Sequence, residues 1–170
     1  MASLMDDLLD VIEQEDNHYR KLIELSTEKK DAIIKADIRR LEDITNEEQD
    51  VTSILKNLET RRSGVLSDMA DVLGQDPETL TVRKMIGLLE KQPKEQKVLS
   101  ELRDRLRHTL DEMSVVNEQN RVLLEQALEM VNFDLTLFKS LRQAPETANY
   151  DKNAYNTGEL LGSSGFDAKQ

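Results

Sequence analysis

Glu15 and His18 are the side chains in this sequence with the strongest claim to chemistry. They match one Glu-x-x-His element of the set that, doubled and joined by two more glutamates, holds two metal ions inside helical bundles. The second element is missing, because the other histidine, His108, has Arg105 where the template needs a glutamate. The residues therefore predict no metal site. The chain has no cysteine, which removes disulfides, thiolate ligands and thiol nucleophiles. It also lacks a glycine-rich phosphate loop and a nucleophile elbow. No cofactor is expected, and the chain reads as a non-enzyme.

Asn117 and Asn120 are the next polar residues of interest, since they lie at or beside an apolar seam passing from Met113 and Val116 to Leu124. A seam asparagine lowers stability but fixes helix register when its amide finds hydrogen-bond partners. The reading favours both amides bonding across a bundle to polar stripe positions such as Gln49 or Glu15, over direct contact with a ligand.

The elements that must position these residues are helices. Leu99, Leu102, Leu106, Leu110, Met113, Val116, Leu124, Leu128, Val131, Leu135, Phe138 and Leu141 recur mostly every three or four residues, with no proline or glycine between Val98 and Leu141. That spacing predicts one long amphipathic helix over about 94–142, with Pro93 near its first turn. A weaker stripe (Leu4, Leu8, Val11, Ile12, Tyr19, Leu22, Ile23, Ile33), capped by Ser3, predicts a helix over about 3–35. After a tight turn at Lys35–Asp37, the stripe from Ile38 to Val72 predicts a helix over about 37–73, ended by Gly74-Gln-Asp-Pro77. A short helix over about 80–90, capped by Thr79 or Thr81, completes an all-α fold: an antiparallel bundle or coiled coil of three long helices plus one short one.

Residues 1–142 are expected to form the bundle domain, with 143–170 a flexible C-terminal tail. Pro145, Gly158, Gly162, Ser163, Ser164 and Gly165 give this segment the composition of a mobile end. It still holds two of the three tyrosines and one of the three phenylalanines, so Tyr155, Leu160, Leu161 and Phe166 form a candidate recognition segment. The net charge of −11 disfavours nucleic acid and anionic membrane surfaces. The acidic start (Asp6, Asp7, Asp10) and the lack of an apolar run of about 20 residues predict no export signal, no membrane insertion and a cytoplasmic location.

Taken in order, Tyr19 and Leu22, then Leu41, Leu58 and Glu59-Thr60-Arg61-Arg62, then Met69 to Gly74, Thr79-Leu-Thr81, and Asn117-Glu-Gln-Asn120 before Leu123 and Leu124 resemble the FlgN family. The resemblance runs from about Leu4 to Gly158. Tyr155-Asn-Thr-Gly158 looks like the closing tyrosine and glycine of family members, with Tyr150 a competing match. The resemblance implies a flagellar export chaperone. Such a protein holds hook-filament junction proteins (FlgK and FlgL type) without ATP and presents them to the type III export gate.

At 1.5 Å per residue the last helix would be about 70 Å long and the first two about 50 to 55 Å. The lengths predict an overhang in which Val131, Leu135, Leu137, Phe138 and Leu141 are available to an apolar client helix. Tyr155, Gly158, Leu160, Leu161 and Phe166 would then dock to the export gate. A homodimer, or the Leu80–Leu89 segment, is the competing cover for the overhang. The alternative function is a structural coiled-coil scaffold or tether that self-associates.

Overall fold

The computed structural model describes residues 2–143 as four helices: α1 (Ala2–Ile34), α2 (Ile38–Leu73), α3 (Val82–Leu88) and α4 (Pro93–Gln143). No strand occurs among the described residues. The segment expected to be a tail, with Tyr155, Gly158, Leu160, Leu161 and Phe166, lies outside them. α1 begins at Ala2, so Ser3 sits within its first turn instead of capping it. Asp6 and Asp7 consequently fall beyond that first turn.

The α1–α2 turn follows from helix-end chemistry. Ala36 adopts a left-handed conformation (φ 51°), and the Asp37 N–H reaches back to the Ala32 carbonyl at 2.9 Å, satisfying an acceptor that the end of α1 would otherwise leave unpaired. Asp37 then caps α2, its carboxylate accepting from the Arg40 N–H at 3.0 Å. Gly74 closes α2 in the same left-handed region (φ 62°), where a Cβ would be strained. Thr81, not Thr79, caps α3, and Pro93 is the first residue of α4.

The chain divides into two units at Gln126–Ala127. Within the first unit, cross-helix pairs fix the directions. Lys29 pairs with Glu48 (2.6 Å), and Arg61 with Asp7 and Asp10, so α2 runs antiparallel to α1. Thr109 pairs with Asp16, and Asn117 and Asn120 with Ser26, so α4 runs parallel to α1. The fold is the all-α antiparallel bundle of three long helices and one short one.

Two apolar clusters make the core. The first joins Met5, Leu8 and Ile12 of α1, Leu66, Met69 and Ala70 of α2, Leu80, Met85 and Leu89 around α3, and Leu99 and Leu106 of α4. The Leu80–Leu89 segment is therefore spent in this core. The second cluster, Leu25, Ala32, Ile44, Val51 and Leu55, belongs to α1 and α2 alone. Between them α4 is held to α1 by polar bonds. Ile38 and Val72, at the ends of the α2 stripe, are exposed.

Candidate partner-binding surface

α4 changes character along its length. Leu99 and Leu106 are buried against the first cluster, Leu102, Leu110, Met113 and Val116 are half-buried, and Asn120 is the last buried residue. Every residue from Leu128 to Gln143 is exposed.

The buried polar residues explain how the middle of α4 is held. Asp16 is 1% exposed, yet its carboxylate accepts from Thr109 Oγ1 (2.6 Å) and Arg20 Nε (2.9 Å) and lies 3.2 Å from Arg105 Nε. A buried carboxylate is tolerated when charge-assisted bonds replace its water. Two to three turns further on, Ser26 Oγ donates to Asn117 Oδ1 (3.1 Å), and Asn120 Nδ2 donates to the Ser26 carbonyl (2.6 Å). The partner of both amides is thus Ser26, rather than Gln49 or Glu15.

Glu15 and His18 are occupied separately. Arg62 Nη1 lies 3.3 Å from Glu15 Oε2, an ion-pair distance without hydrogen-bond geometry, and His18 Nδ1 lies 2.7 Å from the Gln14 carbonyl oxygen. Burial pushes the Glu15 carboxyl above its ordinary 4.5; Arg62 opposes the shift and Glu59 adds to it. Burial, with Glu15 beside it, also raises the Tyr19 hydroxyl. For Glu15 the folded chain holds its proton more tightly than the unfolded chain. Its contribution therefore favours folding below 4.5 and is lost as pH rises through the raised value. Glu15→Gln should raise the melting temperature above that of the parent by more at pH 7 than at pH 4.5, as read by thermal melts of both chains. Equal pH slopes would contradict this account.

The second unit, within the described residues, is the last part of α4. Met130, Val131, Phe133, Leu135, Leu137, Phe138 and Leu141 are 50–68% exposed there. At about 100° per residue, Val131, Leu135 and Phe138 fall within roughly 60° of one another. They continue the lane that Leu99, Leu106 and Met113 occupy upstream. Met130, Phe133, Leu137 and Leu141 form a second lane spanning about 80°. Upstream that second lane is Glu101, Arg105, His108, Glu112, Gln119 and Gln126, with Val115 and Leu123 its apolar exceptions. Glu129, Asn132, Thr136, Lys139 and Ser140 form the polar side, and Asp134 falls between the two apolar lanes. The Arg142 guanidinium lies 5.8 Å from the Phe138 ring centre, a cation–π contact that leaves the ring 59% exposed.

All five residues that the sequence puts forward for client contact are exposed here, and so are Met130 and Phe133, which lie off the single stripe. Their signal was available in the 130, 133, 137, 141 spacing. Exposed Leu, Val, Met and Phe on two sides of one helix can do one thing chemically, which is to bury themselves against another apolar surface. No described helix is long and apolar enough to cross a membrane.

The model of the FlgN protein family matches residues 1–158, which takes in all four helices together with Tyr155 and Gly158. No curated protein and no solved structure matches the chain. With the match spanning nearly its whole length, the chain belongs to the FlgN family, a family of flagellar export chaperones.

Proposed function

We propose that this protein is a cytoplasmic holdase for hook-filament junction proteins of the FlgK and FlgL type, keeping them soluble and delivering them to the flagellar type III export apparatus. The observation that carries this reading is the exposure of Val131, Leu135, Leu137, Phe138 and Leu141, extended by Met130 and Phe133, on a continuous helix. An amphipathic client helix laid along either lane would exchange water for apolar contact without any chemical step. That is all an ATP-free holdase requires.

In this reading residues 1–142 are the client-holding domain, and Asn117 and Asn120 set the register of α4 on α1. The segment 143–170 docks to the export gate through Tyr155, Gly158, Leu160, Leu161 and Phe166. The test is titration calorimetry of the full chain against isolated terminal helices of the junction proteins, with light scattering on each mixture. Saturable binding at a defined stoichiometry supports the reading. Absence of binding, with a tight homodimer of the chain alone, would replace it with a self-associating coiled-coil scaffold.

A further inference from the structure

A second surface lies wholly within the first unit, where the segment leading into α3 meets the long helices. Arg62, Ser63 and Leu66 of α2, residues 80–83 leading into α3, Arg103 and Leu106 of α4, and Ile12 of α1 line a groove of about 380 Å³. This is at the small end of ligand-sized clefts, with room for a few side chains rather than a whole helix. Its apolar lining is aliphatic. Its charged lining is three arginines and no carboxylate, in a chain with 34 acidic residues against 23 basic ones.

The three cations differ in what already engages them. Arg62 faces Glu15 at 3.3 Å. Arg103 meets only its sequence neighbour Asp104, at 3.4 Å, and that aspartate is itself 66% exposed. Arg83 is exposed and has no ion-pair partner among the described residues. Arginine forks that are not already held by carboxylates are suited to bidentate capture of carboxylates from elsewhere. On the rim beside Ser63, Gly64 is exposed, and a Cβ added there would meet nothing within 4 Å, so neither residue obstructs an approaching backbone.

We propose that this groove docks an acidic, leucine-bearing segment of a partner protein, its aliphatic side chains entering between Leu66, Leu80 and Leu106 and its carboxylates meeting Arg83 and Arg103. The occupant follows from charge complementarity. The net charge of −11 repels an acidic peptide everywhere else, so binding requires a local positive site. The proposal does not depend on the client surface of α4.

The probe is a synthetic 12-residue peptide carrying three leucines at helical spacing among glutamates and aspartates, titrated calorimetrically against the full chain. The expected result is saturable binding that weakens with added salt. It should fall tenfold or more in the Arg83→Glu/Arg103→Glu chain, and equally when the peptide's acids are replaced by glutamine and asparagine. Arg83 is exposed and Arg103 half-buried, and circular dichroism checks that the variant keeps its helix content. The Leu135→Ala/Phe138→Ala chain should bind the probe as the parent does. The proposal is overturned if the parent does not bind, if the double arginine variant or the neutral peptide binds equally well, or if binding is lost only in the Leu135/Phe138 variant.

Discussion

Alanine at Leu135 and Phe138 together should weaken binding of a junction-protein helix by roughly 30-fold or more while leaving helix content unchanged. Both side chains are more than half exposed in the free chain, so their truncation removes nothing from the described core. On binding, each would lose the remainder of its apolar surface to the partner. At about 25 cal/mol per Å² the two truncations together cost about 2–4 kcal/mol of affinity, and each 1.4 kcal/mol is tenfold in Kd. Calorimetry gives the affinity and circular dichroism the helix content. Unchanged affinity would place the client elsewhere.

Asp16→Ala should lower unfolding free energy by about 2 kcal/mol, the order expected for losing charge-assisted hydrogen bonds from a buried carboxylate. The loss is bounded on both sides. Arg20 and Arg105 are about half exposed and return to water, and Thr109 retains the Arg105 carbonyl at 3.1 Å as an alternative acceptor. The cost of burying a carboxylate is also recovered. What remains is the loss of the bond that ties α4 to α1 between the apolar contacts of Leu99 and Leu106 and the amide contacts of Asn117 and Asn120. Asp16→Asn keeps an acceptor for Thr109 and should cost less. Urea unfolding followed by circular dichroism measures both. A change below about 0.5 kcal/mol for the alanine variant would show that the ion cluster is not what holds this stretch.

The helices themselves were legible because a stripe at three- and four-residue spacing has few other solutions, and because Asp37, Gly74, Thr81 and Pro93 carry their end signals locally. Which apolar residues are buried was not legible. Leu124 and Leu128 belong to the same stripe as Leu99 and Leu106, yet they are exposed, since burial depends on a neighbouring helix and not on period. Glu15 and Ser26 are polar residues that interrupt the α1 stripe. Both are buried, Ser26 because Asn117 and Asn120 arrive opposite it. That match is set by helix register, a long-range quantity that no local window contains. The second apolar lane at Met130 and Phe133 is present in the spacing, but a single three- and four-residue stripe describes only one face of a helix.

The central claim is that residues 128–141 of α4 receive the client. Amide hydrogen exchange of the full chain, with and without a saturating terminal helix from a junction protein, tests it residue by residue. The account predicts slowed exchange concentrated in 128–141, where no described residue is buried in the free chain. Protection confined to the first 120 residues, with 128–141 exchanging as in the free protein, would contradict it.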